Sequence, residues 1–159
     1  AMAAAAAATP PEAFYVRVVV QSTTVKLDNG GEYELRNVQL MPVLLVTNLL
    51  PCRVRFSLWV DGARGPLPAL DAKSGEDVAV HTVGLSRQFS MGLAVAGLEE
   101  GSEFVPVFSP DGSTLEGHVT LFDNSGGSVR LQLSHFQEAH RVFRLQISAP
   151  YWLVNRTGL

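Results

Sequence analysis

Apolar residues occupy every second position over long stretches of this chain, and that alternation limits the folds it can adopt. From Val54 to Val60, apolar residues alternate with arginine, serine and tryptophan, and residues 142–147 follow a similar pattern. A period of two is that of a half-buried β-strand. Nowhere do apolar residues recur at helical spacing over three turns. We therefore predict an all-β fold, an antiparallel β-sandwich of roughly ten short strands, rather than a parallel α/β fold with crossover helices.

Turn signals divide the chain into segments of strand length. The stretches 28–31 and 123–127 favour hairpin turns, because Asn and Gly accept a positive φ. Residues 66–75, rich in turn-forming residues, are predicted to form an irregular loop, and a break in the alternation near Asn37 predicts a β-bulge. The predicted strands cover residues 14–20 with a continuation at 23–25, 32–40, 43–46, 53–60, 77–83, 88–95, 104–108, 114–122, 128–136, 141–148 and 151–154.

The two ends of the chain are predicted to differ from its middle. Residues 1–12 join an alanine run to paired prolines, which favour extended chain over helix, so we predict a disordered linker or an expression remnant there. Residues 13–159 are predicted to form one β-sandwich module, since 159 residues with 47% apolar content are enough for one core. The apolar final stretch predicts a fragment of a longer protein, with 149–159 as the start of a following repeat.

Charge and cysteine content narrow the classes of partner. The formal net charge is −3 and no basic patch is visible, which argues against a nucleic-acid partner. The single cysteine, Cys52, cannot form an internal disulfide, so an oxidising compartment is not indicated and a cytoplasmic location is favoured. No apolar run approaches the roughly 20 residues of a membrane-spanning helix.

The residue types that carry catalysis do not form a recognisable pattern. The sequence has no Gly-x-Ser-x-Gly elbow and no phosphate-binding loop before a helix, so we predict that the chain is not an enzyme and needs no cofactor. The histidines lack zinc-site spacing, and we predict no metal site. The residues considered for such a site are His81, His118, His135, His140, Cys52 and Asp123.

One short apolar segment is a candidate edge for binding a peptide. It consists of Phe104, Val105, Pro106, Val107 and Phe108. Proline has no backbone N–H, which disfavours an interior position in a sheet. An extended peptide can add a strand to such an edge. The alternative is that the segment packs inside the sandwich with Pro106 at a bulge, because apolar strands are usually core.

The most specific feature of the sequence is a short motif that occurs twice, called here the internal echo. Residues 42–51 and 150–159 each contain a proline, an apolar run, an asparagine and then a turn with leucine. The two asparagines, Asn48 and Asn155, are 155 − 48 = 107 residues apart. An asparagine at the end of a buried strand can satisfy the backbone of the following turn with its amide. We therefore predict a structural role for Asn48 before any role in direct binding.

The two stretches 40–51 and 150–159 are similar to repeat starts in the adaptor-binding region of the vacuolar protein sorting-associated protein 13 family. The resemblance implies a series of β-rich repeats, each with a characteristic asparagine, here Asn48 and Asn155. It implies a binding module that recognises adaptor proteins through proline-x-proline peptides. Through these adaptors a large lipid-transfer protein is recruited to organelle membranes and contact sites, in the cytoplasm and peripheral to the membrane.

Two other functions stay open on the sequence alone. An extracellular β-sandwich that binds glycans or cell-surface ligands would share the same strand pattern. A fragment of a β-sandwich hydrolase is a third, weaker alternative. The unpaired Cys52 favours the adaptor-binding interpretation over the extracellular one.

Overall fold

Eleven β-strands and no helix make up the described part of the chain. The computed structural model describes residues 13–96, 98, 102–111, 117–123, 125–137 and 142–150. Within these residues there is no helix long and apolar enough to span a membrane. The strands are β1 (Val16–Lys26), β2 (Glu32–Pro42), β3 (Leu44–Asn48), β4 (Val54–Val60), β5 (Leu70–Ala72), β6 (Asp77–Val80), β7 (Phe89–Val95), β8 (Val105–Phe108), β9 (Gly117–Phe122), β10 (Ser128–Gln137) and β11 (Phe143–Ser148).

Nine of these strands form a β-sandwich of two sheets, which confirms the predicted fold class. The five-stranded sheet has the order β6-β3-β11-β10-β9, and the four-stranded sheet has the order β5-β4-β7-β8. The two sheets share one core, where the ring of Phe143 in β11 meets the rings of Phe89 and Phe108 from the opposite sheet. Alternation places the side chains as predicted: in β4, Phe56 points into the core and Trp59 lies on the outer face.

Three details differ from the sequence-based expectations, and a fourth agrees with one of the alternatives. Strand β11 runs parallel to β3, so the five-stranded sheet is mixed rather than purely antiparallel. The β1–β2 pairing passes Asn37 without a register shift, so the bulge predicted there was wrong. The segment predicted as an irregular loop contains the three-residue strand β5. A register shift between β7 and β8, where Phe89 pairs with Phe108 and Ser90 with Pro106, agrees with the alternative that placed a bulge at Pro106.

Strands β1 and β2 form a separate two-stranded hairpin beside the sandwich. Neither strand contains a buried residue. The hairpin joins the sandwich at its base, where the Tyr15 N–H donates to the His81 carbonyl oxygen at 2.7 Å and the Phe14 ring stacks on the His81 ring. The predicted linker 1–12 and the predicted strand 151–154, with the rest of the segment 151–159, lie outside the described residues.

Candidate functional site

Asn48, the last residue of β3, is fully buried and its side-chain amide joins three segments of the chain. Its Nδ2 donates to the carbonyl oxygens of Cys52, at 2.7 Å, and Ala72, at 3.0 Å. Its Oδ1 accepts from the Leu50 N–H at 2.9 Å. Both amide donors and the acceptor are therefore used, and they hold the turn after β3 against strand β5.

The backbone of Asn48 extends this junction to the segment before β6. Its N–H donates to the Glu76 carbonyl oxygen, and its own carbonyl oxygen accepts from the Gly75 N–H at 2.8 Å. Gly75 has a φ of +72°, a conformation that favours glycine. Because every polar group of Asn48 is paired inside the protein, its side chain has no free donor for a ligand. Asn155, its counterpart in the echo, lies outside the described residues.

A second polar junction lies on the outer face of the five-stranded sheet, across β11, β3 and β6. The Thr47 hydroxyl donates to the Asp77 carboxylate at 2.6 Å, and Arg144 Nη1 donates to both Thr47 Oγ1 and Asp77 Oδ1. The hydrogen bond from Arg144, followed by that from Thr47, lowers the pKa of Asp77 below its ordinary value. This junction pins the parallel β3–β11 pair.

The candidate edge 104–108 lies at one end of the four-stranded sheet, because β8 is the terminal strand in the sheet order. Its five residues do not share one environment. Val107 is fully buried, and Phe108 stacks on Phe89 in the core. Pro106 is exposed, and Phe104 and Val105 are half-buried. The segment is therefore an edge strand with a register shift beside Pro106, and it combines features of both interpretations of the sequence.

Two grooves flank the start of β8. The first, of about 360 Å³, is lined by Trp59, Asp61, Gln88, Ser90 and Phe104 on the outer face of the sheet. Its aromatic wall is formed by the Trp59 and Phe104 rings, edge to face with centroids 5.5 Å apart. Phe104 sits over Gly92, where an added Cβ would lie 3.2 Å from the ring. The glycine therefore lets the ring approach the sheet more closely than a residue with a Cβ would, because a Cβ would displace the ring by a few tenths of an ångström.

The second groove is a cleft of about 450 Å³ on the side of the sandwich where both sheets end. Val105 of β8 lines one wall, and Val119 and Phe122 of β9 line the other. Strand β9 is the terminal strand of the five-stranded sheet. Two edge strands therefore border one cleft, and their outward backbone N–H and C=O groups have no strand partner among the described residues. A cleft of this kind is suited to an extended peptide.

The polar side chains considered for metal binding are dispersed. Within the described residues, no group of three or more His, Cys, Asp or Glu side chains is placed to hold a metal ion. His81 contacts the base of the hairpin, His118 lines the cleft, and His135 stacks on Phe143. Asp123 accepts from Ser125 and Gly127 within the β9–β10 turn, and this lowers the pKa of its carboxyl group. Cys52 is an exposed free thiol, and His140 lies outside the described residues.

A family described as "Vacuolar-sorting associated protein 13, adaptor binding domain" matches residues 24–159, most of the chain. The chain belongs to this family. The match confirms the resemblance noted in the sequence and favours a binding module over an extracellular sandwich or a hydrolase fragment.

Three curated relatives are similar to most of this chain. The human intermembrane lipid transfer protein VPS13D is 28% identical over 122 residues, which are 77% of this chain and 3% of that protein. VPS13 of Chaetomium thermophilum is 26% identical over 132 residues, 80% of this chain and 4% of that protein. Vps13D of Drosophila melanogaster is 24% identical over 77% of the chain. The chain thus spans only a few per cent of the length of these relatives.

The sequence marks one wall of the cleft and not the other. Pro106 marks β8 as an edge strand, and Val105 of β8 lines the cleft, whereas Phe104 lines the first groove. No residue of β9 carries such a mark. The alternation of β9 shows which residues face inward, and it does not show whether the strand has a neighbour on both sides. Trp59 carried a visible signal, since it occupies an outward position in an alternating strand.

Proposed function

We propose that this chain binds adaptor proteins by holding an extended proline-x-proline peptide in the cleft between β8 and β9. The observation that carries the proposal is the meeting of two sheet edges at one cleft, with Phe122 exposed at its wall and the Trp59–Phe104 pair beside β8. By adding a strand, the peptide would satisfy the backbone groups of an edge while its side chains entered the grooves.

The spacing of the motif suits this geometry. In an extended strand, residues two apart point to the same side, so both prolines face one groove and the middle residue faces the other way. Prolines two apart also place their missing N–H groups on the same side of the strand. When that side of the peptide faces solvent, the N–H of the middle residue faces the edge strand and can donate a hydrogen bond to it. Pre-extended proline-rich chain also loses little entropy on binding.

Aromatic surface supports the same class of ligand. Proline-rich segments dock against aromatic rings, and Trp59 is 41% exposed on the outer face of the sheet. Asp61 and Glu103 line the two grooves, one each. These carboxylates favour peptides with Lys or Arg beside the motif, since opposite charges favour encounter.

The cellular role follows from this binding. The chain serves as the part of an intermembrane lipid transfer protein that is captured by adaptors on organelle membranes. The parent protein is then held at contact sites from the cytoplasmic side, as a peripheral protein. The module itself performs no chemical step.

The test is a binding titration with a fluorescently labelled proline-x-proline peptide, followed by anisotropy. The matched peptide has both prolines replaced by alanine, and its Kd should be at least about tenfold higher. Phe104→Ala should weaken binding of the proline peptide by about 5–30-fold, the loss expected of an interface side chain just below the hot-spot range. Phe14→Ala removes an exposed aromatic ring at the hairpin base and serves as the control, with unchanged binding. Equal affinity for the two peptides, or full binding by Phe104→Ala, would contradict the proposal.

A further inference from the structure

The hairpin β1–β2 carries an apolar face that its own sandwich does not cover. This face, called here the apolar hairpin face, consists of Val16, Val18, Val20, Val38 and Leu40. The register pairs Val18 with Leu40 and Val20 with Val38, so these side chains lie on one side of the hairpin. Leu40 is 69% exposed and Val38 58% exposed. A contiguous exposed apolar patch of this kind indicates an interaction surface.

The internal echo extends upstream of the two asparagines into these strands. With the same offset of 107 residues that relates Asn48 to Asn155, Val38 corresponds to Leu145 and Leu40 to Ile147. Gln39 corresponds to Gln146, an identical residue between them. Residues 38–40 of β2 thus correspond in sequence to residues 145–147 of β11, yet Leu145 and Ile147 are completely buried in the sandwich core. The correspondence ends two residues earlier, where Arg36 aligns with Phe143.

Strand β1, the partner of β2, occupies the same position in its hairpin as β10, the partner of β11. This correspondence follows from the strand pairing and not from the internal echo. Ile147 of β11 pairs with Leu133 of β10, as Leu40 of β2 pairs with Val18 of β1. Two residues before these positions stand Leu131 and Val16. Leu131 and Leu133 are buried, and their counterparts Val16 and Val18 are exposed. The two hairpins therefore share a register and an apolar face, and differ in whether a second sheet covers that face.

The sheet topology shows what would cover it. The hairpin β10–β11 lies inside the five-stranded sheet, with β11 parallel to β3 on one side and β10 antiparallel to β9 on the other. The hairpin β1–β2 forms a sheet of only two strands, so both of its outer edges lack such neighbours among the described residues. Isolated two-stranded hairpins are marginally stable in water.

We propose that β1–β2 is the closing hairpin of a second sandwich of this kind, whose other strands are supplied by another repeat of this sequence type. The β2 edge would pair in parallel with a strand like β3, and the β1 edge with a strand like β9. The apolar hairpin face would then lie in the core of that sandwich. Successive repeats interleave, because each hairpin completes one sandwich while the strand that follows it, such as β3, opens the next.

The first test compares equivalent positions in the unmodified chain. Leu40→Asp should leave the melting temperature of the chain unchanged, while Ile147→Asp should abolish the cooperative transition. Backbone amides of β1 and β2 should also exchange with deuterium much faster than those of β10 and β11. An equal loss of stability in both variants would mean that the hairpin packs on its own sandwich, and would overturn the proposal. Self-association of the wild type that Leu40→Asp abolishes would also overturn it, since the partner would then be a second intact copy.

The second test is a transplant of the hairpin. Residues 131–148 are replaced by residues 16–41, which sets Val18 at the place of Leu133 and Leu40 at the place of Ile147. Arg36 then takes the place of the buried Phe143, so the insert also carries Arg36→Phe to keep the contacts with Phe89 and Phe108. The control transplants residues 15–40 with the same substitution, a shift of one residue that turns the apolar hairpin face outward. Thermal unfolding followed by near-ultraviolet circular dichroism should be cooperative for the first chimera and absent for the second. Equal behaviour of the two chimeras would contradict the register equivalence on which the proposal rests.

Discussion

The two flanks of the sandwich make opposite use of backbone polar groups. At the Asn48 flank, every polar atom of a buried asparagine is paired, and the turns after β3 and before β6 are held together. At the β8–β9 flank, two sheets end side by side and leave a cleft where Val105, Val119 and Phe122 lie among polar side chains. The difference indicates that one flank maintains the fold and that the other is available to a partner.

The environment of Asn48 also bears on the role of the asparagine that recurs in the internal echo. An asparagine that recurs at a fixed place could be a binding residue or a structural one. Its complete burial and three internal side-chain hydrogen bonds favour the structural role. We therefore expect substitutions at the two flanks to separate stability from binding.

The largest expected effect is that of Asn48→Ala on stability. The substitution leaves the buried Leu50 N–H without its acceptor and removes two donors, which should cost about 2–4 kcal/mol. Thermal unfolding followed by circular dichroism should show a melting temperature lower by about 5–15 °C for a chain of this size. Asn37→Ala, in the exposed hairpin, is the matched control and should have no effect. An Asn48→Ala protein that melts like the wild type but loses peptide binding would make Asn48 a direct contact.

A smaller effect is expected for Asp77→Asn, and it should depend on pH. The hydrogen bonds from Arg144 and Thr47 lower the pKa of Asp77, so its ionised form stabilises the fold above the ordinary pKa of 3.8. That contribution disappears as the pH falls through the lowered value in the folded state. At pH 7 the variant should be less stable by roughly 0.2–1 kcal/mol, as for other solvent-exposed pairs.

Urea denaturation at pH 7 and near pH 2.5 measures this dependence. The difference between wild type and Asp77→Asn should shrink at the lower pH, because a protonated carboxyl group is then compared with an amide. Asp28→Asn, in the hairpin turn, is the control. A stability difference that stays the same at both pH values would show that the charge of Asp77 does not stabilise the β3–β11 pair.

The sequence predicted the sandwich and most strands because burial on one face leaves a period-two record in the residues themselves. It could not predict that β11 lies parallel to β3, since pairing partners about 100 residues apart leave no local pattern. Strand β5 has only three residues, too few to show an alternation. The alternation also marks an apolar face without showing what covers it, which is why β2 and β11 look alike in sequence but differ in burial.

The candidate site was predictable to a similar extent. Pro106 identified an edge because of the N–H that proline lacks, and that signal is local. The second wall of the cleft depends on where β9 lies in the sheet order, which is a property of the assembled fold. Val107 and Phe108 were included with the edge, but the register shift beside Pro106 turns their side chains toward the core.

The most direct test of the central claim is the mapping of a bound proline-x-proline peptide by amide chemical shifts in NMR spectra of the full chain. The account predicts shifts concentrated in β8 and β9, at Val105, Val107 and 117–122, with the amides around Asn48 unchanged. The same titration with the alanine-substituted peptide should leave the spectrum as it was. Shifts concentrated at the Asn48 flank, or no shifts at any amide at saturating peptide, would contradict the assignment of the β8–β9 cleft as the adaptor-binding site.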